Sequence, residues 1–284
     1  KYGITSTLDN SNYEITYVGA DLTIGKKLLT GSFTASNKVY DAMKTATESN
    51  RSLIGLVGND DVKLIGGSAA FSSKDVGNGK TVTLTGWTLS GVNADNYVLS
   101  VDPTAFADIT PLEIPGSFTA DNKEYDGDTT ATVTGQALSG VLPGDTVEFT
   151  GGVATFRNKN AGTNKLVFLK DWTLGGTDAG NYSVIVADAT ANINRRAIRV
   201  TPTSDLYKEL RVPALTDPLL TYSVDRLVYG ETLNGVLSRK SGEDPGTYEI
   251  TQGSVTDPNN SNYTITFVPG VLAFFLKIVL LKTR

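Results

Sequence analysis

Gly31-Ser32-Phe33-Thr34-Ala35-Ser36-Asn37-Lys38-Val39-Tyr40-Asp41 returns 85 residues later as Gly116-Ser117-Phe118-Thr119-Ala120-Asp121-Asn122-Lys123-Glu124-Tyr125-Asp126. The correspondence runs without an insertion from Gly31 to Val101 and from Gly116 to Val186. Gly66-Gly67, Phe71, Trp87-Thr88-Leu89 and Asn96-Tyr97 reappear as Gly151-Gly152, Phe156, Trp172-Thr173-Leu174 and Asn181-Tyr182. A fixed period marks a unit that folds, is copied and is strung in a row. Chains built this way span distance or display surfaces, and rarely enclose one catalytic pocket.

Working outward from the repeat, four Asn-Tyr pairs mark a common element: Asn12-Tyr13, Asn96-Tyr97, Asn181-Tyr182 and Asn262-Tyr263. Each follows a polar turn and opens an alternating run. Side chains alternate across a strand, so Tyr97, Leu99 and Val101 share one face, and Tyr182, Val184 and Val186 repeat it. The face kept in both copies is the expected core face. Asp41 to Ser52 is the best stretch for a short helix, but its counterpart, Asp126 to Ala137, is rich in Thr and Gly. Strand or irregular structure is therefore expected there.

The composition fits many short strands and tight turns. Hydrophobic residues make up 39% of the 284 positions, lean for one large core and adequate for several small ones, and Gly occurs 29 times. The net charge of −5 and a pI near 4.9 argue against nucleic acid as a partner, since phosphate binding needs clustered positive charge. The chain has no His and no Cys. That removes the usual general base, thiol chemistry, disulfides and thiolate zinc sites. Asp/Glu pairs could in principle do acid–base work, yet small modules in series rarely supply the cleft. The chain is read as a non-enzyme, with no cofactor.

The expected fold class is mainly β: tandem small β-sandwich or β-grasp-like modules set end to end as an elongated rod. Residues 1–25 match the last part of a later unit, 195–274, and are read as a truncated module of that second type. Residues 26–110 and 111–194 are the two repeats. The junctions Gly25-Lys26-Lys27, Thr110-Pro111-Leu112 and Asn194-Arg195-Arg196 are short and lead straight into a strand. Each module is expected to close its own interior, with small interfaces. Residues 275–284 form an apolar tail, too short and too charged at Lys277 for a membrane span. It reads as sequence foreign to the natural chain or as a sticky extension of the last strand, and no membrane insertion is expected.

Trp87 and Trp172 are the candidates for stacking against a glycan. Recurring at one place in each copy, they are also explained as core plugs of a small β-domain, and that reading is preferred. Tyr40 and Tyr125 are read as buried phenols with a hydrogen-bond partner. Asp60-Asp61, Asn93-Ala94-Asp95-Asn96 and Thr177-Asp178-Ala179-Gly180-Asn181 suggest calcium, but lack the spacing of a calcium loop, and turn chemistry accounts for them. An intramolecular Lys–Asn crosslink is chemically feasible, though no spacing singles out a trio.

The run Asn122-Lys123-Glu124-Tyr125-Asp126-Gly127, with the downstream Trp-Thr-Leu and Asn-Tyr, resembles the YDG repeat of large bacterial surface proteins. The first copy departs from it at Ala42. The 195–274 unit resembles the MBG domain of the Tyr-Gly type through Leu219-Leu220-Thr221-Tyr222, Gly230-Glu231-Thr232-Leu233-Asn234-Gly235 and Gly246-Thr247-Tyr248-Glu249-Ile250. It departs where Lys208 follows Tyr207. The resemblance implies a stalk or spacer of a secreted or surface-anchored, filamentous haemagglutinin-like adhesin. It also implies a β-grasp-like element with room for one short helix. Implied partners are neighbouring modules of the same polypeptide and host or matrix glycans or proteins. Self-association through strand edges is a further reading.

Overall fold

The computed structural model describes residues 12, 19–99, 101–210 and 216–276. Its chain falls into two compact units, Lys1–Thr110 and Pro111–Arg284. Of the Asn12-Tyr13 pair, Tyr13 lies outside the described residues, as do most of the 1–25 segment and the tail beyond Leu276.

The described residues of the first unit form one module of seven strands: β1 (Lys27–Ala35), β2 (Lys38–Val39), β3 (Glu48–Ile54), β4 (Lys63–Phe71), β5 (Gly77–Ser90), β6 (Tyr97–Leu99) and β7 (Thr104–Thr110). They make two sheets, ordered β3-β1-β6 and β2-β7-β5-β4. β1 lies against β7, and β3 against β4, across the interior. Leu29, Phe33, Tyr97 and Leu99 enter from the first sheet; Phe71, Val82, Leu84, Ala107 and Ile109 enter from the second. Period-two alternation is what lets one face of each sheet bury these groups while the other stays polar.

The second unit begins with a copy of this plan: β8 (Leu112–Ala120), β9 (Lys123–Glu124), β10 (Thr130–Ala131), β11 (Val133–Leu138), β12 (Glu148–Phe156), β13 (Gly162–Gly175), β14 (Tyr182–Val186) and β15 (Ala189–Asn194). Its sheets are β11-β8-β14 and β10-β12-β13-β15-β9. The third module follows: β16 (Arg196–Pro202), β17 (Leu206–Leu210), β18 (Tyr222–Asp225), β19 (Ser238–Arg239), β20 (Gly246–Thr251), β21 (Tyr263–Phe267) and β22 (Gly270–Leu276), in sheets β18-β16-β21 and β17-β22-β20-β19. All three modules share one device. The first strand runs parallel to the strand opened by the Asn-Tyr tyrosine, so that Tyr97, Tyr182 and Tyr263 pair with Lys27, Leu112 and Arg196.

Three expectations need correction. First, the described residues contain no α-helix, only single 3₁₀ turns at Ala94–Asn96 and Ala179–Asn181, so the helix allowed by a β-grasp likeness is not there. The end of the Asp41–Ser52 stretch is strand β3, in line with the strand or irregular structure expected there; it pairs with β1 and joins it through hydroxyl contacts such as Thr34–Ser49 and Ser32–Ser52. Second, Val101 is exposed; β6 stops at Leu99, and the alternation stops with it.

Third, the second and third modules do not close wholly separate interiors. One apolar cluster takes Phe118, Tyr125, Phe156, Val167 and Ile193 from the second module and Ile198 and Tyr263 from the third. Only Arg195 separates β15 from β16. The strand crosses the boundary without a linker, so the apolar rims of the two modules meet rather than facing solvent. The sheets themselves stay separate. A second cluster, including Val200, Ile250, Leu272 and Phe274, belongs to the third module alone.

Candidate functional site: the joint between the second and third modules

The Asn-Lys-x-Tyr-Asp-Gly run is a turn with a job for each residue. The Asn122 side-chain oxygen accepts the backbone N–H of Asn192 at 2.6 Å, as Asn37 accepts that of Asp108 at 2.7 Å. These bonds pin the turn to strand β15 or β7. Lys123 Nζ donates to Asp126 and Asp128 at 2.8 Å each and stands over the Phe156 ring. Lys38 likewise holds Asp41 at 2.7 Å and lies over Phe71. The Lys123 hydrogen bond, with further ones from Thr130, brings the Asp128 carboxyl down to about 2. Gly127 sits at φ +87°, and the departing Ala42 adopts the same left-handed region at φ 63°. An added Cβ on Gly127 would also meet Val228 Cγ1 of the third module at 2.8 Å.

Between Lys123 and Asp126 stands Tyr125, fully buried. Its partner is not the neighbouring aspartate but Glu231 of the third module, whose Oε1 accepts the phenol at 2.5 Å. Tyr263 donates to the other oxygen of Glu231 at 2.5 Å and accepts the Val228 N–H at 3.3 Å. The two rings meet edge to face at 5.5 Å. Lys159 of the second module adds an ammonium to Glu231 at 3.0 Å. Around this centre, Asn262 Oδ1 accepts the Ala161 N–H at 2.9 Å, and Arg226 pairs with Glu124 at 2.8 Å. Arg196 donates to the Tyr125 carbonyl at 3.4 Å. Beside it opens a cleft of about 550 Å³ whose lining includes Asp128, Lys159, Tyr229 and Glu231.

Electrostatics favour an ionised Glu231. Burial pushes its carboxyl upward, but the hydrogen bonds from Tyr125, Tyr263 and Lys159 outweigh that and hold it below the ordinary glutamate value. Burial, and then the bond to Glu231, raise both the Tyr125 and the Tyr263 phenols. The Glu231 contact raises Lys159. The cluster is a charge-assisted clamp.

Half of this clamp recurs in every module. Tyr97 accepts the Val57 N–H at 3.0 Å and donates to Asp60 at 2.5 Å; Tyr182 accepts the Leu142 N–H at 3.0 Å and donates to Asp145 at 2.6 Å. The first residue of the suspected calcium set, Asp60, is thus a phenol acceptor. The turn residues Asn93 and Asp178 hold the backbone N–H groups of Asp61 and Thr146, each at 3.0 Å. Among the described residues no group of three or more His, Cys, Asp or Glu is placed to hold a metal ion.

Neither Trp87 nor Trp172 belongs to the buried core; both are half-buried. The core-plug reading is therefore corrected. Each lies within a long strand, β5 or β13, beside a Gly-Gly pair at positive φ, where the inward-outward alternation is broken. Trp172 caps Phe149 edge on at 5.5 Å, and the Trp87 indole N–H donates to Asp102 at 2.6 Å.

The buried lysine of the third module is Lys208, held by Asp217 at 2.8 Å and Glu243 at 2.7 Å, with Arg239 on both carboxylates at 2.6 Å. Hydrogen bonds lower Asp217 (Arg239 first) and Glu243 (Lys208 first), keeping both carboxylates ionised. Lys208 pairs with Phe274 as Lys123 does with Ile193. The third module therefore carries Leu210 where the second carries Tyr125, and Tyr207 points to solvent.

Sequence reasoning found Tyr125, and Asn262-Tyr263 as the marker of a strand, but missed the roles of Glu231 and Lys159. A signal existed for Lys159, which answers Lys74 at the repeat period. None existed for the pairing, since Tyr125 and Glu231 are 106 residues apart.

A family profile described as the YDG domain matches residues 25–105 and 110–191, and one described as the MBG domain (YGX type) matches residues 199–273. No curated protein matches the chain. Among solved structures, Drosophila N-cadherin EC1-4 is similar over 88% of this chain and 76% of its own, at 8% identity and a TM-score of 0.29. Drosophila N-cadherin EC1-3 is similar over 92% of each chain, at 8% identity and a TM-score of 0.21. Likeness at that level carries no weight for fold or function.

Proposed function

The chain belongs to the YDG domain family, with two YDG domains followed by an MBG domain of the YGX type, and from that premise we propose a non-enzymatic spacer of an extracellular, adhesin-like protein. Its work is spatial: it holds a binding region away from the surface of a bacterial cell. The observation that supports this reading is the clamp at the second joint. A spacer must resist bending between its modules, and there a carboxylate takes two phenols and an ammonium from both sides over a shared apolar cluster. No helix among the described residues is long and apolar enough to cross a membrane.

Small-angle scattering tests the spacer. A compact globule of this length has a radius of gyration of about 19 Å. A spacer gives a markedly larger value, and about 19 Å would refute the reading. A second reading, glycan or matrix binding, draws on Trp87 and Trp172, which are half-buried rather than sealed in the core. It predicts glycan-array binding that Trp172→Ala abolishes, and fails if no binding is detected or if the substitution leaves it unchanged.

A further inference from the structure

The first module carries the receiving half of the joint. In the third module that half consists of Arg196, Val228, Glu231, Asn262 and Tyr263. Strand register and the tyrosine contacts match these one for one with Lys27, Val57, Asp60, Asn96 and Tyr97 of the first module. Lys27 pairs with Tyr97 as Arg196 pairs with Tyr263. Val57 gives its N–H to the tyrosine hydroxyl, as Val228 does, and Asp60 accepts the phenol, as Glu231 does. Asn96 precedes its tyrosine as Asn262 does.

The difference lies in what covers them. Val228 packs into the shared cluster and Asn262 is half-buried, whereas Val57 is 53% exposed, and Asn96 and Lys27 are exposed. Among the described residues, Asp60 Oδ1 and the Asn96 side chain have no hydrogen-bond partner. Together with Gly25 they line a cleft of about 300 Å³. The Tyr97–Asp60 bond already fixes the carboxylate, so the face is preorganised.

We propose that this face of the first module is a docking socket that accepts the tyrosine- and lysine-bearing end of another YDG-type module in place of the second-type end that residues 1–25 are read as. The incoming phenol and ammonium take the open oxygen of Asp60. A backbone N–H like that of Ala161 takes the Asn96 oxygen, and the glycine of the Tyr-Asp-Gly turn rests on Val57. The occupant follows from the joint of the second unit, where the same five positions receive Tyr125, Lys159, Ala161 and Gly127. The proposal rests on the clamped-joint reading above.

The test places a further copy of residues 111–194 ahead of Lys26, joining Asn194 to Lys26 as it joins Arg195 in the natural chain. Amide hydrogen exchange is read by mass spectrometry at residues 54–60 and 93–97, with 226–231 as internal reference and the natural chain as comparison. We expect at least tenfold slower exchange at 54–60 and 93–97 in the extended chain. Tyr125→Phe with Lys159→Met, made only in the added copy, should reverse this without touching the receiving module. Unchanged exchange at 54–60 and 93–97 while 226–231 stays slow overturns the socket and leaves the clamped joint standing. Slowing that survives both substitutions also overturns it, since tethering alone then suffices. Fast exchange at 226–231 in the natural chain overturns the clamped joint, and the socket with it.

Discussion

Replacing Tyr125 with Phe and Glu231 with Ala, singly and together, puts a number on the clamp. Tyr125→Phe keeps the ring in the apolar cluster and deletes one hydrogen bond to an ionised acceptor, an interaction worth about 1.5–3 kcal/mol. Glu231 keeps Tyr263 and Lys159 and is 23% exposed, so the loss falls near the lower end, about 1.5 kcal/mol. Glu231→Ala removes the acceptor of two buried phenols, each costing about 1–3 kcal/mol if left unsatisfied. Tyr263 retains its bond from Val228, so the total is about 3 kcal/mol. Once Glu231 is gone, Tyr125→Phe removes an unsatisfied buried phenol rather than a bond, so the coupling is about 3 kcal/mol, larger than the loss from Tyr125→Phe alone. Urea titrations followed by Trp172 emission in a Trp87→Phe background read the second unit. Circular dichroism gives a second probe of the same transition. Effects that add to within about 0.5 kcal/mol would refute the clamp, because independent sites behave that way.

Other outcomes follow from single residues. Ala42→Gly relieves a left-handed alanine in the first Tyr-Asp turn. Release of about 1 kcal/mol of strain, partly offset by glycine's chain entropy, should stabilise the chain by about 0.5 kcal/mol in calorimetry. Gly176→Ala should cost about 3 kcal/mol, since φ is +99° and the new Cβ would stand 2.3 Å from the Thr146 carbonyl oxygen. On the acid side, Glu231 and Asp128 have lowered folded values, so their contribution is complete above the unfolded values of 4.5 and 3.8. It is lost as pH falls through the folded ones, about 2 for Asp128. On the alkaline side, Tyr125 and Tyr263 have raised values, so their contribution is complete below 10.0 and lost as pH rises beyond it. Urea midpoints measured against pH should show a plateau between these limits, and a fall already at pH 6 or 9 would contradict the assignment.

The modular β fold was legible in the sequence because both its signals are local. The recurrence of Gly31–Val101 at Gly116–Val186 exposed the unit. Alternation at Tyr97 and Leu99, and at Tyr182 and Val184, exposed the strands and their inner face. Alternation failed at Val101, where pairing ended, and at the two tryptophans, where Gly66-Gly67 and Gly151-Gly152 break the pleat. Neither the strand's ending nor the break in the pleat is written in the period itself.

The residue types of the Tyr-Asp-Gly turn, and hence its shape, come from the chain alone: a lysine to close it, a glycine for its positive φ and an asparagine to pin it. What buries Tyr125 comes from the tertiary structure. The phenol needs an ionised acceptor in a dry place, and folding supplies Glu231 from another module only once β16 continues β15 across a single residue. Local pattern sets which face of a strand turns inward. Which carboxylate lies opposite a given phenol depends on how two folded modules meet, and an alternation of apolar residues holds no record of that.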